Sequence, residues 1–398
     1  MTPASRRVLT VSALGTAQTL SWASSYYLPA MLAAPIARDL GAPSFIVFAA
    51  FSLALVVSAA LGPFAGKAID RFGGRPVLMG SNLVFAAGLL ALSQAGSVAW
   101  LMAAWVLIGM AMGSGLYEAA FATVVRIHGA DSRGAITGIT LFAGFASTVG
   151  WPLTAFLEAH YGWRGACMAW AGLHLVLGLP LNAIVPRVRE AAAQQLSNTR
   201  KAAATAPGDA ARPRRTEFLL AYVFAVGWFI STAMAAHLPS LLHASGVSVI
   251  AAVSIAALVG PAQVAGRLLE FGFLRRAPAL LSARIAALAH PLGVAALLVF
   301  GAPAAVVFAV LHGAGNGILT IAVGTLPLLL FGPQGYGGRQ GLLMVPARLL
   351  QAAAPFLFGL LVQGWGERAL WASAFLGLTA LGALMCISVP GAPRSGRR

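Results

Sequence analysis

The 398-residue chain is 59% hydrophobic and only 9% charged, with a mean hydropathy of +0.84, values outside the range of a soluble globular domain. Its formal net charge of +16 would suggest phosphate neutralisation in a soluble protein, but the basic residues fall in short segments between apolar runs, so no nucleic-acid partner is expected. Cys167 and Cys386 each sit in an apolar run without a CxxC or His partner nearby, which suggests neither a disulfide framework nor a metal centre, and no cofactor is expected.

A bilayer core about 30 Å thick needs about 20 apolar residues per helix, so the chain has room for roughly a dozen spans. In chain order, the apolar runs between Gly, Pro and charge punctuation predict spans at 9–31, 44–65, 77–95, 98–126, 135–157 and 164–185. Six more follow at 217–241, 247–269, 278–301, 304–331, 342–363 and 368–390. The first run follows Arg6 and Arg7 as a signal peptide would, yet it is long enough to span and leads a series of similar runs, so it is read as a retained helix. The expected organisation is an all-α integral membrane protein of twelve transmembrane helices in two pseudo-symmetric six-helix bundles, 1–185 and 217–390. A cytoplasmic linker at 186–216, rich in Ala and Arg, joins them, and a cytoplasmic tail covers 391–398.

Charge orients the chain. With the N-terminus inside, the outer loops hold only Arg38, Arg164 and Arg368, and the spans hold Arg284 and Arg348. The other 21 of the 26 Lys and Arg residues are left to cytoplasmic segments. Both termini are therefore expected in the cytoplasm.

The segment after the second span reads Gly66-Lys67-Ala68-Ile69-Asp70-Arg71-Phe72-Gly73-Gly74-Arg75, and a degenerate copy, Gly266-Arg267-Leu268-Leu269-Glu270-Phe271-Gly272-Phe273-Leu274-Arg275, follows the eighth. Gly, acid and Arg recur in corresponding loops of the two halves, as in a parallel repeat. The first copy closely resembles the cytoplasmic loop signature of the major facilitator superfamily, G-x-x-x-D-R-x-G-x-[RK], in the loop where that family carries it. The resemblance implies the twelve-helix fold, secondary transport, and a gating role for Gly66, Asp70, Arg71, Gly73, Arg75, Gly266, Glu270 and Arg275. It further implies that Asp70 interacts across the interface of the halves. On physical grounds Asp70 is expected to face the N-terminal end of helix 11 near Gly341, where backbone N–H groups favour an anion. The chain departs from the family in span four, where 105–115 carries no basic residue, and in span five, where Trp151 separates Gly150 from Pro152.

In such a fold helices 1, 4, 7 and 10 mainly line the cavity, helices 2, 5, 8 and 11 contribute to it, and helices 3, 6, 9 and 12 pack outside. Ionisable groups inside a span are costly and face protein or water. Glu118 is the one acid deep in a span, on a stripe of Ser114, Tyr117, Glu118 and Phe121 at helical spacing, and is a proton-site candidate. The alternative is a permanent ion pair that locks helices together. Arg348, with Gln351 one turn on, is the matching positive charge in helix 11, able to bind a carboxylate through two parallel hydrogen bonds; the alternative is snorkelling. A basic residue there also resembles the oxalate/formate and monocarboxylate transporter branch. Trp22, Ser25 and Tyr26 on helix 1, with Gln18 and Ser21, Trp228 on helix 7, and His312 and Asn316 on helix 10 complete the expected cavity lining, with interhelical hydrogen bonding the competing role for each. Arg284, in a peripheral helix, is expected to snorkel.

These residues point to a secondary transporter that alternates access for a small-molecule substrate, coupled to protons or another ion, with a small organic anion such as a monocarboxylate as first expectation. Efflux of drug-like or arsenical toxicants is the second, and a non-transporting membrane sensor is the reading from another class. No G-x-x-x-x-G-K-[ST], HExxH, GxSxG or Cys/His cluster occurs, so neither ATP hydrolysis nor an enzyme is expected. The chain is expected to work as a monomer in the lipid bilayer. With Lys67 and Lys201 its only lysines and Ala and Gly abundant, a bacterial cytoplasmic membrane is its expected place.

Overall fold

The structure, a computed structural model, describes residues 3–187, 214–274 and 277–388. Most of the expected linker (188–213), the expected tail (391–398) and the loop residue Arg275 lie outside these residues. The described chain is helical without strands, and eight of its helical stretches are long and apolar enough to cross a membrane, two of them running through several apolar segments. Large apolar side chains stand open on the outer faces, Val176 at 78% and Ile250 at 82% exposure among them, as lipid-facing positions do. The chain divides into unit 1, Met1–Arg212 with Gly335–Ala353, and unit 2, Pro213–Gln334 with Ala354–Arg398.

Unit 1 opens with α1 (Pro3–Ala23) and α2 (Leu28–Asp39), so the single predicted first span is two helices. At the break the Tyr27 N–H reaches back to the Trp22 carbonyl (3.1 Å), and Pro29, whose missing N–H costs nothing in a first turn, restarts the helix. Next come α3 (Ser44–Phe72) and α4 (Gly74–Ser93), turned at Gly73 with φ 85°. The fourth span is likewise two helices, α5 (Val98–Gly115) and α6 (Tyr117–His128), parted at Leu116 (φ −85°, ψ −166°). The stretch after α7 (Arg133–Ala143) runs as α8 (Ala146–Leu173), and the turn between the fifth and sixth spans is the single left-handed residue Gly162 (φ 68°). A π-helical turn, His174–Gly178, precedes α9 (Leu179–Ala183).

Unit 2 contains α10 (Arg214–Ala244), which begins inside the expected linker, then α11 (Val249–Ala257), α12 (Val259–Gly272), α13 (Ala279–Phe300) and α14 (Ala305–Phe331). The long helix α15 (Tyr336–Trp365) contributes its residues up to Ala353 to unit 1 and the rest to unit 2, which also holds α16 (Ala369–Met385). Arg284 on α13 reaches the end of a neighbouring helix, where its Nη2 donates to the carbonyls of Leu384 (3.0 Å) and Ile387 (3.2 Å). It thereby serves carbonyls at the C-terminal end of α16 that the helix itself leaves open.

The same packing device recurs in each unit. Gly109 and Gly113 of α5 lie against the backbone of Ala54 and Ser58 on α3, and Gly313 and Gly317 of α14 lie against Val259 and Gln263 of α12. Both pairs have G-x-x-x-G spacing, which places two small residues on one helix face and lets backbones approach where lipid supplies no hydrophobic drive for association. Close packing of this kind fixes the helices that carry the polar groups described next.

Candidate functional site

In unit 1 the two ionisable residues singled out in spans four and eleven meet. Arg348 Nη2 donates to Glu118 Oε1 at 2.8 Å, with the side chains 3% and 15% exposed. The guanidinium also donates from Nη1 to Gln351 Oε1 (2.9 Å), and Gln351 Nε2 donates to the Tyr26 hydroxyl (3.2 Å). Arg348 therefore does not snorkel. Its Cζ lies 5.8 Å from the Trp22 ring centroid, within cation–π range. Trp22 in turn packs 4.8 Å from Tyr117 and 5.2 Å from Tyr26.

Backbone breaks position this cluster. Because the helix restarts at Tyr117, Glu118 stands in the first turn of α6, where open N–H groups favour a carboxylate. The expected continuous stripe from Ser114 to Phe121 is thus interrupted at Leu116, although Tyr117 and Phe121 still stack at 5.2 Å. Gln18 Nε2 donates to the Gly115 carbonyl at the break (2.7 Å). Tyr26 reaches Gln351 from the break between α1 and α2. Ser25, also expected in the lining, is fully buried and its hydroxyl is spent on the Ser21 carbonyl (2.5 Å). A cavity of only about 10 Å³ borders the pair, with Ser58, Gly62, Gly113 and Met344 in its wall. That is room for about one water, so an organic ligand at Arg348 has to take the place of a present partner.

The loop residues form a second feature of unit 1. Asp70 accepts the N–H of Gly337 at Oδ1 (3.0 Å) and that of Gly338 at Oδ2 (2.8 Å). These are first-turn amides of α15, so the contact lies one turn before the expected Gly341, which instead packs on Gly62 and Pro63. Gly66 packs directly on the Gly337 carbonyl, a place with no room for a Cβ. Arg71 is exposed over the Phe72 ring at 5.0 Å, and Arg75 is half-buried. In the second copy of the motif Gly266 packs on Ala314, and Glu270 is buried.

The remaining candidates belong to unit 2. Asn316 Nδ2 donates to Ser231 Oγ (2.9 Å), and Trp228 is half-buried. His312 pairs through Nδ1 with Nδ1 of His290 at 3.0 Å, and His290 Nε2 contacts Ser373 Oγ at 3.1 Å. Sequence reasoning passed over His290 and Ser373 because helices 9 and 12 were read as outer packing. A histidine directly before Pro291 in an otherwise apolar run was the available signal.

The sequence profile of the Major Facilitator Superfamily matches residues 14–311. Among solved structures, the fold resembles the proton:xylose symporter XylE, with a TM-score of 0.74, 13% identity, and coverage of 96% of each chain. It also resembles the human organic anion transporter MFSD10 (TETRAN), with a TM-score of 0.66, 19% identity, and coverage of 96% of this chain and all of that one. In sequence, the chain is 35% identical over 164 residues to proteins of two Mycobacterium tuberculosis strains (CDC 1551/Oshkosh and ATCC 25618/H37Rv) named Multidrug resistance protein B homolog. The match takes in 39% of this chain, which spans about three tenths of the length of those relatives (29%).

Proposed function

Because the chain belongs to the Major Facilitator Superfamily, we propose that it is a secondary active transporter of the bacterial cytoplasmic membrane, working by alternating access as a monomer on a small organic anion such as a monocarboxylate. The observation that carries this reading is the buried guanidinium of Arg348, held between Glu118 and Gln351 against Trp22. A substrate carboxylate matches Glu118 in charge and geometry, so it can take over the guanidinium. Glu118, left without its partner, then binds a proton from water, since an isolated carboxylate at this depth is costly. One anion and one proton cross together, and the step is electroneutral for a monocarboxylate. Trp22, Tyr26 and Tyr117 supply the aromatic wall, and Asp70 on the first amides of α15 holds the helix that carries Arg348 until the cycle releases it.

The test is uptake of labelled monocarboxylates into proteoliposomes under an imposed pH gradient, with Arg348→Ala and Glu118→Gln alongside. Carboxylate uptake that follows the pH gradient, lost in Arg348→Ala, supports the reading. Uptake unaffected by Arg348→Ala overturns it.

A second reading, efflux of drug-like compounds, is favoured by the sequence likeness to the Multidrug resistance protein B homologs. In the same liposomes it is distinguished by movement of cationic or neutral compounds with Arg348→Ala close to wild type. A membrane sensor would move neither class.

A further inference from the structure

Unit 2 has a half-open cavity of about 40 Å³ between α10, α13, α14 and α16, walled by apolar groups such as Val226, Ile230 and Leu319, by Asn316 and by two imidazoles, His290 and His312. The volume admits a water molecule. One placement of the protons satisfies every acceptor in the network. Ser373 donates its hydroxyl to the Leu370 carbonyl (2.8 Å), so toward His290 it is an acceptor and His290 Nε2 carries the hydrogen (3.1 Å). The facing Nδ1 atoms, 3.0 Å apart, hold one hydrogen between them. With Nε2–H on His290, that hydrogen belongs to His312 Nδ1 and is donated to His290. This leaves His312 Nε2 as a lone-pair acceptor with no hydrogen bond among the described residues, on a ring that lines the cavity.

We propose that the His312–His290–Ser373 relay is a proton-binding site of unit 2, separate from Glu118 and Arg348, loaded through His312 Nε2 from a water in the cavity. A hydronium ion there gives its proton to Nε2 and becomes water. The His312 Nδ1 hydrogen then passes to His290 or stays shared with it, so one positive charge spreads over two rings that end on Ser373 and the Leu370 carbonyl. Two rings that share one hydrogen bond take up one proton, because a second would set two N–H groups against each other.

No other ionisable group lines the cavity. On the helices packed around the relay, Arg284 of α13 is tied to the Leu384 and Ile387 carbonyls, and Tyr222 of α10 bonds Thr379. Arg267 and Glu270 are buried on α12. His237 and His243, toward the far end of α10, bond the carbonyls of Pro355 and Val247, and Glu217 lies in that helix's first turn. The site stands apart from the anion reading, since it involves neither Glu118 nor Arg348.

The experiment is imidazole-nitrogen NMR of the full chain in lipid nanodiscs, isotope-labelled at its seven histidines, followed from mildly alkaline to acidic pH without substrate. His290→Gln and His312→Gln assign the signals, and proton uptake is measured on the same samples. Expected are the Nδ1–H tautomer at His312, the Nε2–H tautomer at His290, and a scalar coupling between their Nδ1 atoms. On acidification His312 Nε2 gains the proton, the double variant lacks one proton of uptake per molecule, and neither single variant lacks more than one. An Nε2–H tautomer at His312, an absent coupling, or a two-proton loss in the double variant overturns the proposal. Should a variant fail to fold, the coupling in the wild-type spectrum still decides. Because no transport is measured, a failed anion assay leaves this result unaffected.

Discussion

The Arg348 cluster of unit 1 and the histidine relay of unit 2 meet the same demand in different ways. At the depth of a bilayer every polar group needs a partner inside the protein. The first satisfies it with opposite charges, a guanidinium on Glu118 with the side-chain carbonyl of Gln351 beside it, although unit 1 also holds an uncharged Ser24–His174–Asn82 network. The relay satisfies it with uncharged hydrogen bonds passed from His312 to His290, Ser373 and a backbone carbonyl. Loss of one partner from the first arrangement strands a charge, and loss of one from the second strands only a dipole. The two differ as much in what they offer a ligand: the ion pair offers a cation that an anion can capture, and the relay a lone pair that a proton can occupy.

Removal of a charge gives the largest effect. Arg348→Ala leaves the Glu118 carboxylate without its guanidinium and is expected to cost about 3–5 kcal/mol of stability, along with substrate transport. Arg348→Met combined with Glu118→Gln removes both charges at similar volume and is expected to recover most of the stability but none of the transport. Thermal unfolding in detergent beside liposome uptake checks both. A double variant as unstable as Arg348→Ala alone would show that packing, and not the stranded charge, sets the cost.

A smaller effect is expected where a charge rests on backbone. Asp70→Asn keeps the shape but loses the charge facing the first amides of α15, at about 1.5–3 kcal/mol for the charge-assisted bonds. Amide exchange at Gly337 and Gly338 should rise in Asp70→Asn while exchange in α13 and α14 stays at its wild-type rate. Next is Gln18→Met, which removes the donor on the Gly115 carbonyl and costs about 1–2 kcal/mol if that carbonyl stays buried. Its signature is local opening at Leu116, followed by a weaker Glu118–Arg348 coupling.

The sequence made these residues visible to different degrees, for physical reasons. Glu118 and Arg348 stood out because a charge inside an apolar span needs an explanation, and Asp70 because its motif sits in the right loop. The breaks at Ser24–Tyr27 and Leu116 left no mark in hydropathy, which records side chains and not backbone. Pro29 and the run Gly113-Ser114-Gly115 were the available clues. The start of helix 11 was placed too late because Gly332, Gly335, Gly337 and Gly338 read as breakers. The helix nevertheless begins at Tyr336, where Asp70 takes up two of its open amides. His290 and Ser373 are hidden by topology, since helices 9 and 12 are expected to pack outside the central cavity, and their polar groups meet inside one unit.

The smallest expected effect sharpens the contrast most. If the His290–His312 contact is an uncharged hydrogen bond, a double-mutant cycle with His290→Phe and His312→Phe should give a coupling of about 0.5–1.5 kcal/mol near neutral pH. The corresponding Glu118–Arg348 cycle should give several times that. A proton shared between the rings makes their hydrogen bond charge-assisted, so the His290–His312 coupling should grow as pH falls. That rise, read from thermal melts at two pH values, is the expected outcome. A His290–His312 coupling flat in pH would mean that the histidines hold no proton between them and that the relay only packs unit 2.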